Sequence, residues 1–255
     1  MDELAALRGG KLTKIGQQMA RLPVDPRLAR MLITSADLGC LNELLIIVSG
    51  LAVQDPRERP SEKTAAADTA HERFLDERSD FLSLLNLWKW IEEQREKLTR
   101  NRWQRLLSKQ FVSPQRVREW RELHRQLRLS CRDLGLRENQ EAGSYERIHE
   151  SILSGSLSQI AWHEERGNYL GARNLRLNIF PGSGLAKKKP KWMVAAEVVE
   201  TRRVFARCVA QVEASWIERQ AQHLLKHRFS EPVWSAKRGE EIAVSYTHLT
   251  LPTKA

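Results

Sequence analysis

The sequence predicts an α+β protein in which a helical bundle is followed by a small β-barrel, the two kinds of element segregated along the chain. Three observations carry that prediction. Apolar residues recur at helical spacing in successive segments from Ile15 to Gly155. Beyond Leu157 the period changes: Leu175 to Phe180 alternates apolar and polar residues, as does Val204 to Val212, and Trp192 to Val199 is a continuous apolar run. Between these strand patterns lies a turn, Pro181-Gly182-Ser183-Gly184, followed by a loop that carries Lys187, Lys188, Lys189 and Lys191.

Thr13 caps a short helix running through Arg21, with Ile15 and Met19 one turn apart. Leu22-Pro23-Val24-Asp25-Pro26 stops it, because each proline drives its predecessor toward an extended conformation. Pro26 then suits a first helical turn, Leu28, Met31, Leu32 and Ser35 continue the period, and Gly39 ends it. Leu41 to Leu51 is apolar enough for a buried helix, closed by Gly50 and the Asp55-Pro56 turn. Ser61 to Asp68 reads as a loop or a weakly packed first helical turn. Phe74, Phe81, Leu84, Leu85, Trp88 and Ile91 mark one long amphipathic helix reaching toward Lys97. Helices at Trp103 to Gln110 and Pro114 to Leu134 follow, then a polar connector from Arg137 to Ser144. A last helix, Tyr145 to Gly155, leads into Leu157, Ile160 and Trp162 as the first barrel strand. Tyr169 to Arg173 is a further short strand, Trp216 to Leu225 a short helix, and Arg228 to Trp234 an extended run.

At 255 residues, 41% hydrophobic and 29% charged, the chain can bury a real core and has room for one large or two small domains. The net charge of +10 favours polyanionic partners, and its distribution says more. Thirteen Lys and Arg against four Asp and Glu fall between Arg95 and Arg137. Either a solvated helix face or an anion-binding surface accounts for such a run. Trp103, Phe111 and Trp120 are interleaved with these charges at helical spacing, which assigns them to core rather than to base stacking. Cys40, Cys131 and Cys208 are distant, odd in number and free of any CxxC pattern, as expected of reduced thiols in a cytoplasmic protein. No 18-residue apolar run and no leader-like N-terminus is present, so no membrane partner is expected. His223 and His227 are one helical turn apart but have no third ligand, and Ser183 in Gly-Ser-Gly does not match a nucleophile elbow. No catalytic residue and no metal site is expected.

The block NYLGARNLRLNIFPGSGLAKKKPKWMVAAEVVET (Asn168 to Thr201) resembles the C-terminal OB-like domain of DEAH-box RNA helicases, the bacterial HrpA type in particular. LTKIGQQMARLPVDPRLARMLITSADLGCLNELLIIVSGLAVQDPRERP (Leu12 to Pro60) is similar to the helicase-associated helical region of that family, and DFLSLLNLW (Asp80 to Trp88), VREW (Val117 to Trp120) and WIERQAQHLL fit as well. The resemblance runs from about Leu12 to Trp234. It implies a winged-helix remnant over residues 1–24, a ratchet-like bundle over 25–144, and an OB-like barrel over 145–235 that is truncated. Residues 236–255 are expected to be an irregular tail, non-native from about 245, because SYTHLTLPTKA does not continue the family's closing-strand pattern.

The resemblance also implies function. The expected partners are single-stranded RNA and the RecA-like modules of the same polypeptide, with docking of an activator or ribosome-bound protein as the alternative. ATP and Mg belong to the RecA-like modules of the family. This sequence contains no GxxxxGK[ST] and no Asp-Glu-Ala-His, so no cofactor and no ATP hydrolysis is expected of it alone. The expected RNA-facing residues are Arg173, at the family's Tyr-x-x-x-Arg position, Ser183 in the Gly-rich turn, Lys187, Lys188 and Lys189 on the loop, and Thr201 and Arg203 after the last strand of the block. Plain alternatives stay open: pairing of Arg173 with Glu197 or Glu200, and a strand-end cap for Thr201.

Overall fold

A computed structural model describes residues 1, 3–164, 168–200, 202–229, 233–235, 240–242 and 245–249. The chain opens with a two-stranded hairpin, β1 (Leu7–Arg8) and β2 (Lys11–Leu12), turned by Gly9 and Gly10 at φ 57° and 75°. Two consecutive positive φ values are what a two-residue hairpin turn requires, and glycine adopts them without strain. Helix α1 (Lys14–Met19) follows, with the Thr13 hydroxyl accepting from the Gly16 amide at 3.1 Å. Leu4, Ala6, Met19 and Leu22 join the core of the bundle, so this segment is packed into the helical layer.

Helix α2 (Pro26–Leu38) starts on an Asp25 cap and ends on Gly39 at φ 69°. Helix α3 (Leu41–Ala52) is the bundle's centre; Leu41, Leu44, Leu45, Ile47 and Val48 are all almost fully buried. The bundle continues through α4 (Thr64–Glu72), α5 (Asp80–Lys97), α6 (Arg100–Lys109), α7 (Pro114–Asp133) and α8 (Tyr145–Gly155); α2, α5, α7 and α8 pack against α3, and α6 packs on α5 and α7. Trp103 and Trp120 are buried, as their spacing predicts, and the Trp120 indole donates to the Ile46 carbonyl at 3.0 Å. Phe74 is a correction. It lies before α5, in a turn after α4, because the Ser79 hydroxyl caps α5 by accepting from the Leu82 amide. Phe74 still packs against the Trp90 ring at 5.2 Å, so its apolar spacing reflects tertiary contact rather than a shared helix.

The barrel contains β3 (Ile160–His163), β4 (Tyr169–Gly171), β5 (Arg176–Ile179), β6 (Trp192–Glu200) and β7 (Val204–Gln211). It is closed, in the order β3-β4-β5-β7-β6 and back to β3, with β5 and β7 parallel and the other pairs antiparallel. The expected truncation is therefore wrong for the barrel itself: Ile160 opposite Val194 and Trp162 opposite Trp192 supply the closing pairs, and closure removes the free edges. Ala161, Tyr169, Leu177, Met193, Ala195, Ala206 and Val209 fill the interior. The even alternation expected from Val204 to Val212 also fails. Cys208 has a left-handed φ of 50°, so Ala206 and Val209 both face the interior while Cys208 and Ala210 face the bundle.

Helix α9 (Ala214–Ala221) packs on α8, where Arg219 pairs with Glu146 and Glu150. The remaining chain forms β8 (Leu225–Phe229), β9 (Val233–Ser235), β10 (Glu240–Ile242) and β11 (Ser245–Leu249). β9 pairs with β10 and β11 with β8, both antiparallel. The expected irregular tail is thus partly strand, because residues 245–249 find a partner in 225–229; residues 250–255 lie outside the described ones.

Bundle and barrel share one core. Leu44 and Phe81 of the bundle belong to the same apolar cluster as Ile160, Val194 and Ala210 of the barrel. The Asp80 carboxylate, buried at the start of α5, accepts from the Val209 amide at 2.9 Å and the Gly184 amide at 3.1 Å. Burial raises its pKa, and the Ser183 hydroxyl also bonds to it. The Tyr145 hydroxyl adds a second tie, lying 2.9 Å from the carbonyls of both Arg78 and Gln211.

Candidate nucleic-acid interface

The outer face of the barrel carries a row of side chains set by strand register. Trp192 lies opposite Trp162, Trp162 opposite Leu170, and Leu170 opposite Arg176, so one line crosses β6, β3, β4 and β5. Residues opposite one another share a face of a sheet, so these four lie on the outside of the barrel wall; Trp192, at one end of the row, packs against the bundle core, and Trp162, Leu170 and Arg176 lead away from it. Trp162 is 42% exposed. Its ring lies 6.4 Å from that of half-buried Trp192, tilted by 33°. Arg176 is exposed, with a loose 3.7 Å pairing to Glu164, and Leu175 beside it is 41% exposed. An exposed indole on the same face as a guanidinium two strands away offers a stacking surface to a base and charge to a phosphate.

The expected site residues fall in three places. Ser183, Lys187, Lys188 and Lys189 share the β5–β6 loop, but the loop leans on the bundle. The Ser183 hydroxyl accepts from the Leu185 amide at 3.1 Å and bonds to Asp80. Lys188 pairs with Glu77, and the hydrogen bond from its ammonium holds that carboxyl below its ordinary pKa. Gly184 is packed so closely that a Cβ would stand 2.3 Å from the Asp76 carbonyl. Lys187 and Lys189 are exposed, and Lys191 passes the chain to Trp192 while its carbonyl accepts from the His163 amide at 2.9 Å.

Arg173 sits in the turn between β4 and β5, in a left-handed conformation at φ 58°. It is exposed and has no ion pair to Glu197 or Glu200 among the described residues. Arg203 lies in the β6–β7 turn, exposed. Because β5 and β7 are parallel with Asn178 opposite Phe205, Arg203 enters beside the start of β5, on the Arg173 side. The lysine loop leaves from the other end of β5. Thr201 lies outside the described residues. The structure thus groups Arg173, Arg176 and Arg203 toward one end of β5, and the lysines toward the other. Sequence reasoning missed Trp162 and Arg176 as surface groups. The signal was an aromatic at an outward position of each of two strands, legible only once their pairing is known.

The closed strand order, with the first strand pairing the fourth and the third running parallel to the fifth, is that of an OB-like fold, carried here on a helical bundle. Family comparison agrees: residues 148–224 match the oligonucleotide/oligosaccharide-binding (OB)-fold family, and residues 25–84 match the helicase-associated, ratchet-like domain (HA2). Over 91% of its length the chain is similar to ATP-dependent RNA helicases of the HrpA type. It is 49% identical over 233 residues to the HrpA homolog of Haemophilus influenzae and 46% identical over 234 residues to HrpA of Escherichia coli. It is also 30% identical over 224 residues to the ATP-dependent RNA helicase DHX33 of Drosophila melanogaster, matching 86% of this chain and 31% of that relative. The chain spans 18% of the length of each HrpA relative. No described helix is long and apolar enough to cross a membrane.

Proposed function

We propose that this chain is the RNA-gripping accessory region of an ATP-dependent RNA helicase, holding a single strand for RecA-like motor modules. The observation that supports it is the outward row Trp192, Trp162, Leu170 and Arg176 on an OB-fold barrel. In such barrels the second and third strands, with the loops joining strands one to two and four to five, form the face that binds oligonucleotides. Here those are β4 and β5, the β3–β4 loop and the β6–β7 turn that carries Arg203. Bases stack on Trp162, beside β4, while Arg173, Arg176, Arg203 and the exposed lysines neutralise phosphates. Phosphate contacts carry little base information, so binding is sequence-independent. The sequence carries neither a P-loop nor an Asp-Glu-Ala-His run, so energy for strand movement comes from the motor modules.

The test is fluorescence anisotropy of a labelled single-stranded RNA against salt. Affinity that falls steeply with salt and drops about ten-fold or more in Trp162→Ala supports the reading. Salt-insensitive binding, or a Trp162→Ala variant with wild-type affinity, overturns it.

A further inference from the structure

A second basic feature lies far along the chain from the barrel, within the charge run between Arg95 and Arg137. The end of α5 and the starts of α6 and α7 border an open cavity of about 390 Å³. Arg95, Arg100, Arg118 and Arg121 line it, over an apolar floor of Leu98, Trp103 and Pro114. We propose that this cavity is a binding site for a phosphate ester of a nucleotide, separate from the barrel face and independent of the function proposed for it.

Four guanidinium groups converge, and only one carboxylate answers them. Glu92 pairs with Arg95 at 3.1 Å and with Arg121 at 2.7 Å. Arg100 and Arg118 have no acidic partner among the described residues. Like charges brought together around a cavity repel one another, and a bound anion relieves that repulsion.

The backbone adds to the same field. Pro114 and Arg100 are the first residues of α7 and α6, so both helix N-termini border the cavity. Neither first turn contains an acidic residue, and neither Thr99 nor Ser113 caps its helix with a side-chain bond. Helix N-termini carry partial positive charge and free amides, the arrangement that holds anions elsewhere.

The ligand class follows from shape and chemistry. Guanidinium forks match the paired oxygens of a phosphate, and a fork from each of two arginines suits a group with three or more oxygens better than a single carboxylate. The volume exceeds what a phosphate alone needs. The remaining space lies over Leu98, Trp103 and Pro114, which suits a ribose or base. Trp103 is already fixed, its indole donating to the Ile91 carbonyl at 3.2 Å, so the floor is rigid before a ligand arrives.

Two sources share this chemistry, a phosphate of an RNA strand and a free nucleotide. Calorimetric titration of the whole chain with AMP, and separately with a 5′-phosphorylated oligoribonucleotide, distinguishes them: because the barrel also takes RNA, each probe counts only where Arg100→Gln with Arg118→Gln weakens it, loss for both assigning free nucleotides and loss for RNA alone assigning the strand. Arg100→Gln with Arg118→Gln removes the two unpaired guanidinium groups without breaking an ion pair. That variant should bind whichever probe is recognised about ten-fold more weakly. Should the glutamine pair fail to fold, Arg100→Lys with Arg118→Lys keeps the charge but loses both forks, and a clear loss of affinity is again expected. Wild-type affinity for both probes in a folded variant overturns the proposal, as does displacement of the probe by a polyglutamate peptide as effective as displacement by RNA.

Discussion

Two sides of the same barrel use their polar groups in opposite ways. On the side facing the bundle, polar groups are consumed internally. Asp80 accepts from the amides of Val209 and Gly184, the Tyr145 hydroxyl reaches two carbonyls, and buried His149 is held between the Tyr145 carbonyl at 2.6 Å and the Ser79 hydroxyl at 2.7 Å. Lys188, from the loop expected to meet RNA, is drawn to this side by Glu77. On the outer side Trp162 stands exposed, and Arg173 has no ion pair among the described residues. A barrel carried on a helical support has one face attached and the other left open. A basic residue on it cannot be assigned to either face by its charge alone.

The comparison makes predictions that decrease in size. Asp80→Ala leaves the Val209 and Gly184 amides without their acceptor at the joint, and should cost about 3 kcal/mol of stability. In thermal unfolding that appears as a fall in Tm of roughly 6–12 °C. An unchanged Tm would show that the joint does not depend on its polar ties.

His149 tests the same side through pH. Burial lowers its pKa from 6.5 to about 4. Below pH 6.5 the unfolded imidazole takes a proton that the folded one refuses, so stability is lost as pH falls from 6.5 toward 4, by roughly 3 kcal/mol in total. Above pH 6.5 both states are neutral and the residue contributes no pH dependence. Denaturant unfolding across this range measures the slope, and His149→Gln should flatten it.

On the outer side, Trp162→Ala should weaken single-stranded RNA binding by about 1–3 kcal/mol while leaving Tm within a degree or two. A large fall in Tm with no change in affinity would place Trp162 on the attachment side instead. The smallest effect belongs to the lysine loop. Changing Lys187, Lys188 and Lys189 together to Ala removes up to three phosphate contacts, or a salt slope of about 2. With Lys188 held by Glu77, the expected loss is nearer 1.4, two contacts at roughly 0.7 each. An unchanged slope would move the RNA contact away from this loop.

Much of this molecule was legible locally. The helix start at Thr13 follows from a side chain that satisfies a free amide three residues on, and helix periods follow from which positions face inward, although the equally local Ser79 cap was passed over for an apolar spacing that began at Phe74. Strand patterns, the turn at Pro181 to Gly184 and the excess charge of residues 95–137 are likewise properties of neighbouring residues. What required the tertiary structure depends on partners distant in sequence. Closure of the barrel rests on β3 meeting β6, some thirty residues away, so a missing strand inferred from the tail was no guide to it. Ser183 looked like a phosphate-contacting hydroxyl until Asp80, more than a hundred residues earlier, proved to be its neighbour. Trp162 read as ordinary strand sequence, since alternation tells that two faces exist but not which one is covered. Whether a side chain is core, tie or contact surface is decided by what packs over it, and that information lies elsewhere in the chain.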